Sequence, residues 1–284
     1  MTTLPRLLTQ RLGFALLTLV TIAVVLPIVL VVGAIIVEGL PAISAEFLTT
    51  APREGMRAGG IWPAIVGTFW LTIGTAMFSV PLGVAIAIYL SEYARDNRFT
   101  RSVRLAIVNL AGIPSVVYGL FGLGLFVLAL QFGSSILAGS LTLSIMTLPV
   151  IISTSEEALR SVPQSFRTVS VSLGGTKWQT IRKVVLPQAL PGILTGIILG
   201  LERAAGETAP ILFTAAAFFL PQLPASLFDK TMALPYHLFV ISTQVPEMPI
   251  RIQFGTALVL LVFVLTMNLT AAVLRSYYRR RRPW

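Results

Sequence analysis

Five long runs without a single charged residue constrain what this chain can fold into. They are Leu12–Val37, Ala58–Ser91, Leu105–Ser155, Val184–Leu201 and Ile252–Leu274. A helix needs about 20 apolar residues to cross a bilayer, and the third run holds two such helices if the chain turns at Gln131–Ser140. Charged residues make up only 11% of the chain, against about 25% in soluble domains. The sequence therefore predicts an all-α membrane protein with six transmembrane helices.

Basic residues indicate the orientation of these helices. With the amino terminus in the cytoplasm, sixteen of the 21 Lys and Arg residues fall in inside segments, four fall outside and Arg203 lies within a span. Cytoplasmic loops of membrane proteins carry such an excess. We therefore expect both termini to be cytoplasmic, and the net charge of +10 reflects topology rather than nucleic-acid binding. The run Arg279–Arg282 with Trp284 is predicted to anchor the tail at lipid headgroups.

The runs divide the chain into three parts. Residues 1–61 hold a short cytoplasmic segment, the first helix and an outer loop, Glu38–Ile61. The first run is too long for a signal peptide and has no clean cleavage site, so we expect it to remain as an anchor. Residues 62–276 form the predicted core domain, with a cytoplasmic loop at 156–189 and an outer loop at 217–251. Residues 277–284 are the basic tail.

The sequence does not contain the residues that disulfides, metal sites, phosphate-binding loops or catalytic sites require. Cysteine is absent and His237 is the single histidine, so we expect neither a disulfide nor a metal site, and a structural role for His237. The stretch Gly174-Gly175-Thr176-Lys177 does not have the spacing of a phosphate-binding loop. No catalytic motif is recognisable either. The chain is therefore predicted to be no enzyme and to bind no cofactor of its own.

The fifth predicted span, Pro191–Phe213, carries three charged residues: Glu202, Arg203 and Glu207. Charges within a bilayer are costly and usually mark a polar path or a binding site. Arg203 and Glu207 are one turn apart and can form an ion pair, whereas Glu202 points about 100° away. One interpretation is a purely structural pair. The other is anion passage, because a guanidinium binds tetrahedral oxyanions through two hydrogen bonds.

Other spans carry small and polar faces. In the second, Trp62–Leu90, four hydroxyls share one face and either pack against a neighbour or line a path: Thr68, Thr72, Thr75 and Ser79. In the third, Leu105–Leu130, Pro114 interrupts the helix beside a face of four small residues: Gly112, Ser115, Gly119 and Gly122. That face indicates close helix packing or a broken helix that presents backbone donors to an anion. The fourth span, Leu141–Ser155, is short. Pro191–Phe213 itself carries a ridge of small residues at four-residue intervals: Gly192, Gly196, Gly200, Ala204 and Thr208.

The loop 156–189 has the pattern of two short amphipathic helices. The first, Pro163–Leu173, is predicted to place Arg167 on a polar face and Phe166, Val169 and Leu173 on an apolar face, and to end at Gly174. The second, Lys177–Leu186, presents Trp178 and stops at Pro187. Two patterned helices favour a docking element for a cytoplasmic partner over interfacial membrane contact.

The same loop resembles the cytoplasmic signature of ABC importer permeases. Gly174, nine further residues and Val184-Val185-Leu186-Pro187 match the G-x9-I-x-L-P part of that signature. The family's Glu-Ala-Ala is replaced here by Thr168-Val169-Ser170. Residues 67–274 also resemble the A-type permease subunit of the bacterial high-affinity phosphate importer. The strings that carry this resemblance are Pro81-Leu-Gly83, Glu92-Tyr93, Gly112-Ile-Pro114-Ser115 and, most specifically, Arg203-Ala-Ala-Gly206-Glu207-Thr208-Ala-Pro210.

The resemblance implies a type I ABC importer permease fold in the bacterial inner membrane and phosphate import by alternating access. It implies four partners: a second, homologous permease in a heterodimer, a cytoplasmic ATPase dimer that binds ATP and Mg²⁺, an extracellular or periplasmic phosphate-binding protein, and membrane lipids. The implied substrate path comprises Ser115, Glu202, Arg203, Glu207 and Thr208. The implied coupling residues are Phe166, Arg167, Thr168, Val169, Ser170, Leu173, Gly174, Trp178, Leu186 and Pro187. Sulfate or molybdate as substrate, or a secondary carrier in which Glu207 relays protons, remain alternatives.

Overall fold

The computed structural model describes residues 6–280, and helices dominate this range. The helices are α1 (Arg6–Gly39), α2 (Ala45–Thr49), α3 (Trp62–Ile88), α4 (Arg98–Ala111), α5 (Ser115–Gly122), α6 (Ile136–Ser161), α7 (Gln164–Ser172), α8 (Lys177–Thr180), α9 (Leu186–Gly206), α10 (Ala209–Thr214), α11 (Leu234–Thr243) and α12 (Ile250–Arg280). Strands β1 (Pro52–Arg53) and β2 (Ala58–Gly59) pair antiparallel. Three π-helical turns continue these helices. Tyr89–Tyr93 extends α3, Leu123–Ala129 extends α5, and Ile181–Val185 joins α8 to α9.

Five helical segments are long and apolar enough to cross a membrane, and a bent helix pair supplies a sixth span. The prediction of six spans is thus confirmed, although two boundaries were wrong. The fourth span runs from Ile136 to Ser161, well beyond the predicted Leu141–Ser155. Glu156 continues the helix because Arg160, one turn later, pairs with it at 2.9 Å. Arg104 contacts the same carboxylate at 2.8 Å.

The third span, predicted for Leu105–Leu130, is the broken helix that was one of the two interpretations of this segment. It consists of α4 and of α5 with its π-helical extension, which meet at an angle of 102°. Pro114 causes the break, because proline disfavours helical backbone at the residue before it. Beyond the bend, α5 begins at Ser115. The outward-facing Phe99 of α4 is 76% exposed, so this helix lies at the edge of the molecule.

Helix α6 lies at the centre of the fold and packs most extensively against α3 and α9. The small-residue ridge of α9 makes this packing possible. A Cβ added at Gly192 would lie 2.5 Å from the Cβ of Ala158, and one at Gly196 would clash with Thr154. The predicted close-packing face is therefore confirmed. Helix α1 contacts α12 at the periphery, and its apolar side chains are exposed, as expected for a helix in lipid.

The segment predicted as an outer loop at 217–251 contains a packed helix, α11. Its residues Leu234, Tyr236 and Ile241 are buried, and the amide of Leu234 donates to the hydroxyl of Thr68 at 2.8 Å. His237 is buried too, which lowers its pKa to about 4 through desolvation. The structural role expected for this histidine agrees with its burial. Residues 281–284 of the predicted tail anchor lie outside the described residues.

Candidate functional site

The span that carries the charged residues is broken at its carboxyl-terminal end. Helix α9 ends at Gly206, Glu207 has extended backbone (φ −76°, ψ 136°), and α10 begins at Ala209. The predicted continuous helix Pro191–Phe213 is therefore wrong. Pro210 lies in the first turn of α10, where a missing amide hydrogen costs nothing. The break frees Glu207 from the helix and leaves it beside the last turn of α9.

Arg203 and Glu207 form the predicted ion pair. Nε of Arg203 lies 3.4 Å from Oε1 of Glu207, and the two side chains are 36% and 18% exposed. In residues 6–280 this is the one hydrogen bond that the Arg203 guanidinium makes to protein. A single long contact is weak for a partly exposed pair. The guanidinium therefore retains donors with which it could hold an anion in two hydrogen bonds.

A small cavity lies beside Glu207. Its volume is about 10 Å³, which is room for about one water molecule. The residues that line it are Thr68, Leu71, Thr72, Leu143, Ala204, Ala205, Glu207, Ile211, Ala233 and Pro235. Two members of the hydroxyl stripe on α3 therefore reach the neighbourhood of the carboxylate.

The four hydroxyl groups on this face of α3 also take part in helix packing. Each hydroxyl of Thr68, Thr72, Thr75 and Ser79 donates to the carbonyl four residues earlier. Ser144 of α6 donates to the carbonyl of Thr75 at 3.1 Å, and Thr75 and Ser79 are fully buried. The packing interpretation therefore holds for Thr75 and Ser79. Thr68 and Thr72 combine packing with a position beside Glu207.

The two helix breaks lie close to each other. A Cβ added at Gly119 of α5 would lie 3.0 Å from both the carbonyl oxygen of Ala209 and Cα of Pro210, so α5 packs against the start of α10. Ser115 lies on the same face of α5, one turn earlier. The hydroxyl of Tyr118 donates to the carbonyl of Leu110 at 2.7 Å across the bend. Tyr118 also lies within electrostatic range of Arg203.

The structure does not bring every predicted path residue together. Glu202 faces away from the ion pair toward Asn268 of α12. Its Oε1 atom is buried and has no hydrogen-bond partner in the described part of the chain. Thr208 is half-buried at the break. Four of the five predicted path residues thus lie at or next to the two breaks: Arg203, Glu207, Thr208 and Ser115. Glu202 lies apart from them.

The loop 164–186 forms the predicted helical hairpin. Gly174 follows α7 with φ of +86°, a value that glycine adopts without strain. Thr176 and Gln179 form a capping box at the start of α8. The predicted stop at Pro187 is wrong, because the helix continues through this proline into α9. The π-helical turn Ile181–Val185 directly before it already interrupts the regular i→i−4 hydrogen bonds. The chain is therefore helical from Lys177 to Gly206.

The apolar side chains of the hairpin are exposed, as the predicted docking element requires. Leu173 is 84% exposed, and Val169 and Trp178 are more than half exposed. Arg167, which was predicted on the polar face, is instead turned inward, with 14% of its side chain exposed. Exposed apolar side chains clustered on a polar loop are typical of a protein-binding surface.

The other predicted coupling residues support the hairpin itself. Phe166 and Leu186 pack against the buried cluster of Leu159, Val162 and Val185. The hydroxyls of Ser170 and Thr180 lie 2.8 Å apart, joining α7 to α8. Thr168 is exposed and donates to the carbonyl of Gln164. A groove of about 640 Å³ runs along α7 beside Val169, Leu173 and Lys183.

No group of three or more His, Asp or Glu side chains in the described ranges is arranged to hold a metal ion. The residues to which sequence reasoning gave no role are Glu92, Arg104 and Tyr118. Glu92 lies inside a string that carried the family resemblance, but its partner, Arg167, is 75 residues away in the sequence. The break at Glu207 had a local signal, Gly206 before it and Pro210 after it.

Comparison with known proteins decides the family. A family model described as the inner membrane component of binding-protein-dependent transport systems matches residues 79–282. The chain belongs to this family. The resemblance drawn from the sequence is thereby confirmed, and the family consists of membrane components of transporters rather than of enzymes.

Curated relatives cover most of the chain. The phosphate transport system permease protein PstA 1 of Mycobacterium tuberculosis (strain ATCC 25618 / H37Rv) is 35% identical over 266 residues, which are 92% of this chain and 85% of that protein. The probable ABC transporter permease protein YqgI of Bacillus subtilis (strain 168) is 34% identical over 250 residues, which are 84% of this chain and 85% of that protein.

Solved structures share the fold at low sequence identity. A chain of the bacterial alginate ABC transporter, in complex with an alginate pentasaccharide-bound periplasmic protein, superposes with a TM-score of 0.68 and 15% identity, covering 96% of this chain and 95% of that chain. A chain of the inward-facing MetNI methionine ABC transporter gives a TM-score of 0.61 with 16% identity over 77% of this chain and 97% of that chain. The predicted importer permease fold is confirmed.

Proposed function

We propose that this chain is the membrane permease subunit of an ATP-driven importer of inorganic phosphate. The observation that carries the proposal is the Arg203–Glu207 pair, which lies at a helix break in a membrane span with a contact of 3.4 Å. The phosphate transport permeases among the relatives, at about 35% identity, support phosphate as the anion. Arg203 binds the passing anion, while Glu207 holds the guanidinium when no anion is present.

The geometry suits an anion that must be released again. A partly exposed pair with one contact is weak, so an incoming oxyanion can displace the carboxylate from Arg203. Thr208 and Ser115, next to the two breaks, are placed to contribute further hydrogen bonds. Glu202 has no place on this path, because it faces Asn268 of α12.

The hairpin 164–186 is the surface that meets the ATPase. Its exposed Val169, Leu173 and Trp178 form an apolar patch that a cytoplasmic partner would cover. ATP and Mg²⁺ are bound by that partner, a dimer, and the membrane part is completed by a second, homologous permease. A phosphate-binding protein delivers the anion from outside. The excess of basic residues in segments such as 92–104 and 156–183 supports an inner-membrane protein with both termini in the cytoplasm.

Reconstitution tests the function. The complete complex is placed in proteoliposomes with ATP at the hairpin side, and uptake of radiolabelled phosphate is measured in the presence of the binding protein. Uptake should require ATP and the ATPase, and Arg203→Ala should abolish it without loss of assembly. The exposed Arg251, changed to Ala, is the matched control and should leave uptake unchanged.

Three results would count against the proposal. Uptake driven by a proton gradient without ATP would identify a secondary carrier. Competition by sulfate or molybdate at concentrations equal to phosphate would identify another oxyanion as the substrate. Normal uptake by a correctly inserted Arg203→Ala protein would remove the guanidinium from the path.

A further inference from the structure

A buried ion pair connects the hairpin to the transmembrane core. Glu92 lies in the π-helical turn Tyr89–Tyr93, which ends α3, and Arg167 lies on α7. The terminal nitrogen Nη2 of Arg167 is 2.6 Å from Oε1 of Glu92, and Nε is 3.2 Å from Oε2. Their side chains are only 14% and 7% exposed. The two parallel hydrogen bonds fix the relative orientation of the two groups as well as their distance.

The same guanidinium also holds the end of α6. Arg167 donates to the carbonyl of Val162 at 2.7 Å and to that of Leu159 at 2.9 Å. One buried side chain therefore joins the ends of α3 and α6 to α7. Such an arrangement resists rotation of any one element against the others.

The second helix of the hairpin reaches the same turn of α3. The ammonium group of Lys177, the first residue of α8, lies 4.8 Å from the centre of the Tyr93 ring, within the range of a cation–π interaction. Arg104 of α4 donates to the carbonyl of Leu90 at 2.9 Å in this turn. Both arms of the hairpin are therefore attached to the turn 89–93.

The two walls beside Glu207 are connected to the hairpin in different ways. Helix α9, which carries Arg203, continues from α8 without interruption, so it follows the hairpin through its own backbone. Helix α3, which carries Thr68 and Thr72, has no such continuity and reaches the hairpin through side chains. Among these side-chain contacts, the Glu92–Arg167 pair is the buried ion pair with two hydrogen bonds.

We propose that Glu92 and Arg167 are a pair of positioning residues that makes α3 move together with the hairpin when the ATPase acts on it. The inference rests on the proposed function and adds to it the residues that transmit the movement. When the pair is intact, both α3 and α9 follow the hairpin and the space between them changes as a unit. When it is broken, α9 still follows but α3 does not, and ATP is hydrolysed without transport.

The test compares phosphate uptake with ATP hydrolysis in proteoliposomes of the complete complex. Glu92→Gln and Arg167→Gln remove one charge each. Both should assemble and hydrolyse ATP, while phosphate carried per ATP should fall about tenfold, within the usual range of coupling between sites. Matched controls are Glu157→Gln and Arg101→Gln, both at exposed positions, and they should keep the wild-type ratio. Uptake and hydrolysis that fall in equal proportion would overturn the proposal.

A second measurement does not depend on the substrate. The chain contains no cysteine, so nitroxide labels at Ser165→Cys on α7 and Met77→Cys on α3 are specific. The distance between them should stay constant on ATP addition in the otherwise unchanged chain and should change in the Glu92→Gln background. A distance that changes in both backgrounds, or in neither, would overturn the proposal. Absence of phosphate uptake in the unchanged complex would refute the proposed function alone.

If the Gln variants fail to assemble, Glu92→Asp decides the question. Aspartate keeps the charge but withdraws the carboxylate by one methylene group, which disrupts the two-point contact. A lowered ratio of uptake to hydrolysis in this variant supports the positioning role. A wild-type ratio overturns it.

Discussion

The buried histidine of α11 should make the stability of this protein depend on pH in a calculable way. Burial lowers the pKa of His237 to about 4, whereas an exposed histidine in the unfolded chain has a pKa of about 6.5. Between these values the unfolded state binds more protons than the folded state. Stability is therefore complete above about pH 6.5 and is lost as the pH falls toward 4.

The size of the effect follows from the two pKa values. Between pH 7.5 and pH 5.0 the free energy of unfolding should decrease by about 2 kcal/mol, and the decrease should level off near 3 kcal/mol below pH 4. For a chain of this length, 2 kcal/mol corresponds to a fall of roughly 4–8 °C in the midpoint of thermal unfolding. No other histidine contributes, because His237 is the single one in the chain.

The assay is thermal unfolding of the detergent-solubilised protein at pH 7.5 and pH 5.0. His237→Leu removes the titrating group and also a ring nitrogen, Nδ1, that is buried without a partner among the described residues. The variant should lose most of the difference between the two pH values. Phe239→Leu, at a more exposed position of the same helix, is the control and should retain the difference. An undiminished difference in His237→Leu would refute the argument.

Three further substitutions test the packing and the hairpin. Thr68→Val leaves the buried amide of Leu234 without its acceptor and should cost about 1–3 kcal/mol in thermal unfolding; a midpoint equal to that of the exposed Thr266→Val would contradict this. Gly196→Val forces a clash with Thr154 and should prevent folding, while Gly33→Ala, in open space, should not. Gly174→Val places a β-branched residue at φ +86° and should weaken co-purification with the ATPase, whereas Gly174→Asn should preserve it.

The sequence predicts the membrane-spanning helices well because each one is determined by residues that are close together in the chain. Long apolar runs specify the spans, and the small residues from Gly192 to Gly200 specify the face that packs on α6. The ion pair of Arg203 and Glu207 is also local, since the two residues are one helical turn apart. The described structure confirms these predictions because none requires knowledge of a distant residue.

The helix boundaries were harder to predict, because proline has opposite effects at different positions. Pro114 breaks the third span, and Pro187 was expected to end a helix as well. In the structure the helix continues through Pro187 into α9, directly after the π-helical turn Ile181–Val185, where the regular i→i−4 hydrogen bonds are already interrupted. A single sequence cannot show whether a proline interrupts a helix or begins the next one. The pair Gly206 and Pro210 marks a break only when both are considered together.

Arg167 and Arg203 show why the role of a charged residue could not be predicted from the periodicity of the sequence alone. The helical period placed Arg167 on a polar face of the loop helix and Arg203 on an apolar membrane span. In the structure Arg167 is the more buried of the two side chains, with 14% exposed against 36% for Arg203. The cause is the number of partners: Arg167 has a carboxylate and two carbonyls, while Arg203 has one carboxylate at 3.4 Å. Burial of a charge requires such saturation, so Arg167 is suited to hold elements together and Arg203 to exchange its partner for an anion.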